Sequence, residues 1–235
     1  NVNFSEVWRR RSADGGATWD VAANMTRAMG SVAPGPGAGV QLRSGRLALA
    51  VHAATNCALL SDDGGVTWRK GGDVPFNGSG LASGGESQLV DDPARGPNAL
   101  IMFIRVSSSN ADWNHALAES DDAGESWRPP RVVPQVTGPT CEGSIGRRAD
   151  GTILLSAPNN FHWRYPADRR NLTVWSLRRN GSSYALSGEA RIWAGPAAYS
   201  GLTREGDFIM FEGGPDFRYQ SVIVTQVPPG EYMHM

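Results

Sequence analysis

Three stretches of this chain follow one pattern: SADGGATW at residues 12–19, SDDGGVTW at 61–68 and SDDAGESW at 120–127. They start at Ser12, Ser61 and Ser120, so the spacings are 49 and 59 residues. Periods of that size point to propellers or solenoids before other architectures. The repeat itself reads as a turn. Ser and Asp side chains accept hydrogen bonds from backbone N–H groups two residues on. Gly16, Gly65 and Gly124 supply the positive φ of a tight hairpin. Trp19, Trp68 and Trp127 offer a large apolar anchor between sheets. Asp14, Asp63 and Asp122 are therefore expected to be structural rather than catalytic. Calcium is a weak rival, because an EF-hand needs alternating oxygen ligands over about twelve residues ending in Glu.

The segments between the repeats support strands. RLALAVHA (46–53), NALIMFIRV (98–106), GTILLSAP (151–158), DFIMFEGG (207–214) and SVIVTQV (221–227) are short apolar runs bounded by turn-forming residues. No window of about a dozen residues holds a 3.6-residue period without Gly or Pro, so no helix is expected. The fold class is all-β. One hairpin per sheet, repeated at this period, gives propeller blades. At that period 235 residues hold four to five blades. NVNFSEVWRRR already reads as a strand entering the first repeat, so the chain is expected to begin inside a domain.

Composition removes several function classes. Net charge is −1, which gives no bulk electrostatic reason for a nucleic-acid or anionic-lipid partner. Arginine dominates the cations, favouring planar, bidentate recognition of anions. No apolar run approaches the roughly 18 residues of a membrane span. Cys57 and Cys141 are too few for a disulfide framework or a zinc site and read as buried thiols. His52, His115, His162 and His234 show no metal-like grouping. Asn-x-Ser/Thr sequons at Asn3, Asn24, Asn77, Asn171 and Asn180 are compatible with a secretory route.

Three such boxes in an all-β chain resemble the Asp-box (BNR) repeats of sialidases, six-bladed β-propellers. APGPGAGVQ (33–41), CALLSDDGGVTW (57–68), RRNLTVWSLRRNGSSY (169–184) and IWAGPAAYSGLTREGD (192–207) resemble the lysosomal-type sialidases in the same order. The likeness covers essentially the whole chain as one domain, 1–235. It implies an exo-α-sialidase that releases terminal α-linked sialic acid from glycoproteins, gangliosides and oligosaccharides. Retention would proceed through a tyrosyl intermediate. No cofactor is implied, and a lysosomal or secretory lumen is suggested. The partner is a sialylated glycoconjugate, with no nucleic acid and no membrane insertion; oligomeric state stays open.

The chemistry explains which residues the resemblance selects. A sialoside carries a carboxylate on its anomeric carbon, which guanidinium groups hold with paired charge-assisted hydrogen bonds. A neutral tyrosine avoids the repulsion that a carboxylate nucleophile would meet, and sialidases are the exception among glycosidases in using one. By resemblance Tyr199 in GPAAYSGL is the nucleophile, and Glu86 in SGGESQLV, in what reads as a Gly-Ser loop, activates it. Glu142 in PTCEGSIG is the rival for that role, in a similar turn. Arg105, ending the apolar strand ALIMFIR, binds the substrate carboxylate; Arg169 or Arg170 in ADRRNLTVW is its companion, the other being a surface charge or a partner for Asp168. Glu212 in IMFEGG reads as a buried, paired carboxylate, and the resemblance implies that it braces a further arginine. That arginine and the acid/base aspartate fall, by register, at or before Asn1. His162 could line the glycerol or acetamido side of a sugar site, whereas Trp163 and Tyr165 read as packing. The alternative is a non-catalytic propeller that binds sialic acid or protein.

Overall fold

The computed structural model describes residues 6–29, 32–108, 115–160, 168–181 and 183–229. Asn1, Asn3, His162, Trp163, Tyr165 and His234 lie outside them. The described residues are almost entirely strand and turn. A first sheet pairs β1 (Trp8–Arg9) with β2 (Ala23–Asn24), followed by a single helical turn, α1 (Thr26–Met29). That turn departs from the expectation of no helix; the Thr26 N–H donates to Asn24 Oδ1, an Asx bond that starts it. A second sheet holds β3 (Ala33–Pro34), β4 (Val40–Gln41), β5 (Leu47–His52), β6 (Asn56–Ser61) and β7 (Arg69–Asp73). A third runs β8 (Leu81–Asp91), β9 (Leu100–Ser108), β10 (His115–Ser120) and β11 (Arg131–Val132). The last contains β12 (Ser144–Arg147), β13 (Ile153–Pro158), β14 (Arg170–Asn180), β15 (Ser183–Leu202), β16 (Phe208–Gly213) and β17 (Ser221–Gln226). All pairings are antiparallel.

The sheets stack in chain order with a core between each pair. Cys57 and Leu59 of β6 point to Val7, Met29 and Val51, while Ala58 and Leu60 point the other way, to Leu100, Met102 and Ile104 of β9. Ile101 and Phe103 then face Leu155 and Trp175, and Leu154 turns to Ile209 and Phe211. Successive side chains of a strand point to opposite faces, so burial on both faces produces the continuous apolar runs seen in the sequence. Each fully buried Leu, Ile, Met or Phe contributes roughly 1.5–3 kcal/mol. The β16–β17 hairpin differs: Ile209 and Phe211 are buried, whereas Phe208, Met210, Val222 and Val224 are exposed.

Each repeat closes a hairpin: β1–β2, β6–β7 and β10–β11. Ser61 Oγ donates to Asp63 Oδ1 at 2.8 Å and accepts the Gly65 N–H at 2.8 Å. Asp63 accepts the Thr67 N–H at 2.9 Å and the Thr67 hydroxyl at 2.6 Å. Most of the bonds reach four residues on, because the loop turns through two successive residues with positive φ; the bond two residues on is present as well in the first and third repeats, where Ser12 Oγ accepts the Asp14 N–H at 3.3 Å and Ser120 Oγ the Asp122 N–H at 3.4 Å. In the third repeat the first of the two positive-φ residues is Ala123, at φ 62°. The tryptophans differ in a way the repeat did not announce. Trp127 is 7 % exposed, but Trp19 is 57 % exposed and is no plug between sheets. Its repeat caps a two-stranded ribbon, and its ring only donates its N–H to Gly16 O at 3.0 Å.

Candidate functional site

Two β-bulges build the site. On β8, Gly84 pairs with Val106 and Ser87 with Ile104, so Gly85 and Glu86 together oppose Arg105 of β9. On β15, Ala197 pairs with Gly213 and Ser200 with Phe211, so Ala198 and Tyr199 oppose Glu212 of β16. A bulge re-aims the side chain it carries. The expectation of a loop at Glu86 is thus corrected: Glu86 stands within an 11-residue strand. Asn56 of the neighbouring sheet fixes the first bulge, donating from Nδ2 to Gly85 O at 2.7 Å and Ser87 Oγ at 3.1 Å. Position 84 must be Gly, since a Cβ there would lie 1.9 Å from Asn56 Oδ1.

The two bulges point Glu86 and Tyr199 at each other. The Tyr199 hydroxyl donates to Glu86 Oε1, across 113 residues of sequence. Arg105 Nη1 bonds Glu86 Oε2 at 2.7 Å and lies 3.4 Å from the Tyr199 hydroxyl. Burial works to raise the Glu86 carboxyl, but the Tyr199 donor and the Arg105 charge outweigh it and hold it below the usual range. Burial, then the Glu86 hydrogen bond and charge, push the Tyr199 phenol up to about 12. At neutral pH the pair is carboxylate and neutral phenol, joined by a hydrogen bond that the phenol donates.

Arg169 lies over the Tyr199 ring, its Cζ 5.8 Å from the centroid. It donates to Thr140 O at 2.9 Å and to the Tyr219 hydroxyl at 3.1 Å. Arg170 turns away and pairs with Asp168 at 2.7 Å. Glu212 is half-buried rather than buried, and its partner among the described residues is the Tyr199 N–H, at 3.3 Å. The alternation of β16 places it toward the open side of that hairpin. A cavity of about 270 Å³ beside Tyr199 is lined by Glu142, Gln88, Glu212, Met210 and Val222, among others.

Sequence reasoning missed the supports. Glu142 meets not the Tyr199 hydroxyl but the next backbone N–H, that of Ser200, at 3.0 Å. Gln88 and His115 were not singled out. His115 is fully buried, stacks on Phe103 and donates from Nε2 to Cys141 O at 3.0 Å. Burial lowers its pKa to about 4, so it is neutral. The signal was present: a Gln, a His and a Glu inside apolar or small-residue strands and turns. Among the described residues no group of three His, Cys, Asp or Glu side chains is placed to hold a metal. No helix among them is long and apolar enough to cross a membrane.

The BNR repeat-like domain family matches residues 1–211. The chain belongs to the BNR-repeat sialidase family. It is 33 % identical over 162 residues to sialidase-4 of Mus musculus, covering 57 % of this chain and 31 % of that protein. It is 28 % identical over 159 residues to sialidase-3 of Rattus norvegicus, covering 57 % and 36 %. The match therefore spans about a third of the length of those relatives. The fold is shared with the NanB sialidase of Streptococcus pneumoniae, at TM-score 0.74 and 20 % identity over 93 % of this chain and 34 % of that one.

Proposed function

We propose that the protein is an exo-α-sialidase, a retaining glycoside hydrolase whose nucleophile is Tyr199. The observation that carries this reading is the hydrogen bond from the Tyr199 hydroxyl to Glu86, with Arg105 and Arg169 flanking the phenol. Arg105 and Arg169 would receive the substrate carboxylate. A general acid protonates the departing aglycone oxygen as the phenol oxygen forms the glycosyl bond and its own proton passes to Glu86. Water then attacks the tyrosyl glycoside, giving its proton to the conjugate base of that general acid, Glu86 returns the first proton to the phenol, and the anomeric configuration is restored. Glu212, on the Tyr199 N–H, would brace the bulge and a further arginine. The stacked sheets fit successive blades of a six-bladed propeller within one domain. Terminal sialic acids of glycoproteins, gangliosides and oligosaccharides are the substrate class, and a lysosomal or secretory lumen is the proposed compartment.

The test is release of the fluorophore from a fluorogenic α-sialoside by the full-length natural protein beside a Tyr199→Phe variant. Turnover that collapses in the variant, with the α-anomer of free sialic acid appearing first by NMR, supports the reading. A folded full-length protein that binds sialic acid without turning it over would favour a non-catalytic module instead.

A further inference from the structure

The Tyr199 bulge rests on a second carboxyl. Glu142 lies just before β12 and its side chain is 0 % exposed. Its Oε2 accepts the Ser200 N–H at 3.0 Å, and its Oε1 accepts from Gln88 Nε2 at 3.4 Å. Gln88 is held in that orientation because its own Oε1 accepts the Ile145 N–H at 3.3 Å and the Ser144 hydroxyl at 2.7 Å. Ser144 Oγ in turn accepts the Leu202 N–H at 2.8 Å. Glu142 thus joins β8, which carries Glu86, to β15, which carries Tyr199, through buried bonds. The adjacent Cys141 carbonyl is tied to His115, the cross-strand partner of Arg105.

We propose that Glu142 is a positioning residue for Tyr199: by holding the Ser200 N–H it keeps the Ala198–Tyr199 bulge in the form that aims the phenol at Glu86. The proposal rests on the Tyr199–Glu86 reading above but concerns a different residue. A bulge strips its strand of regular ladder partners, and a buried N–H without an acceptor is costly. Here consecutive amides, those of Tyr199 and Ser200, are taken up by carboxyls from two different strands or loops, Glu212 and Glu142. Glu142 faces Glu86 from β8, Glu212 from β16 and Arg105 from β9. Burial first, then the two carboxylates, push its pKa up to about 8, against the Ser200 N–H and Arg105. At neutral pH it serves as an uncharged acid, and adds no third negative charge beside the phenol.

The test compares Glu142→Leu, Glu142→Gln and wild type. Leu keeps the bulk and removes the acceptor; kcat should fall about 10–10²-fold, as for a misplaced reacting group, with KM little changed. Gln retains an acceptor for Ser200 and should restore most of kcat. A second readout needs no substrate: phenolate absorbance, taken against Tyr199→Phe, should show Tyr199 ionising at lower pH in the Leu variant than in wild type. If Leu does not fold, Glu142→Asp, which draws the carboxyl back by one methylene, takes its place and should lose kcat in the same way. A folded Leu or Asp variant with unchanged kcat and unchanged Tyr199 titration overturns the proposal, as does a Gln variant as impaired as Leu. Should wild type turn over no sialoside, the enzymatic reading fails by itself, and the Tyr199 titration still decides Glu142.

Discussion

The three Asp boxes and the Tyr199 site both depend on carboxyl groups that accept backbone N–H bonds, yet they set those groups in opposite electrostatic states. Asp14 and Asp63 sit on the surface, where the hydroxyl and N–H of Thr18 or Thr67 hold their carboxyls down at about 2. Glu142 sits in the interior, where burial raises its carboxyl to about 8. The difference lies in where the partners come from. The box aspartates Asp14, Asp63 and Asp122 draw their side-chain partners from within four residues and keep their charge close to water. Glu142 draws its partners, Ser200 and Gln88, from strands more than fifty residues away and out of water, so charge is rationed. Local satisfaction makes a sturdy turn; long-range satisfaction makes a chemically poised group.

The sharpest way to break this contrast is at the phenol. Tyr199→Phe should cut kcat by about 10⁴-fold or more while leaving the melting temperature nearly unchanged, because the ring remains. Asp63→Ala should do the reverse, losing stability and keeping kcat per folded molecule. Paired measurements of kcat and Tm on both variants check this, and a box variant with normal Tm but lost kcat would erase the distinction. Next in size is Glu86→Gln. It keeps a hydrogen bond to the phenol but cannot take its proton, and should lower kcat by about 10²–10⁴-fold. The acidic limb of the pH–rate profile, set by Glu86, should disappear with it.

The same contrast explains what was legible in the sequence. The boxes could be read directly, since Ser, Asp, Gly and Thr carry their whole hydrogen-bonding scheme within eight residues. The buried strands RLALAVHA and NALIMFIRV could be read too, because burial on both faces leaves an unbroken apolar run. Glu86 was misplaced into a loop: Gly84 and Gly85 mark a bulge as readily as a turn, and only the register against β9 separates the two. The separation of Arg169 from Arg170 likewise needs the strand to be placed beside Tyr199. Glu142 resembled Glu86 in its small-residue setting, and nothing local reveals that it meets an amide rather than a hydroxyl. Nor did the motif show that Trp19 would stay exposed while Trp127 was covered, since burial belongs to the neighbouring sheet.

That last difference gives a smaller effect, on stability alone. Trp127→Ala should cost about 3–5 kcal/mol, the range for emptying a buried aromatic site. Trp19→Ala should fall within about 0.5 kcal/mol of wild type, as exposed substitutions generally do. Urea unfolding of the two variants at one pH measures both. Equal losses would mean that the first box packs as the third does.

The smallest effect is the most diagnostic, because its sign reverses between the two regions. A depressed carboxyl adds stability that is present above its unfolded pKa of about 3.8 and is lost as pH falls toward about 2; this is the case of Asp14 and Asp63. A raised carboxyl does the opposite. Folded Glu142 keeps its proton up to about pH 8, whereas the unfolded chain releases it near 4.5, so stability falls as pH climbs between those values. Urea midpoints of wild type should therefore decline on both sides, below about pH 4 and above about pH 4.5. Asp14→Asn with Asp63→Asn should make only the acid-side decline shallower, since Glu125 and Asp62 remain held low, and Glu142→Gln should weaken only the neutral side. If either substitution flattened the other's side, the boxes and the site would be coupled, and local satisfaction of the boxes would no longer account for their state.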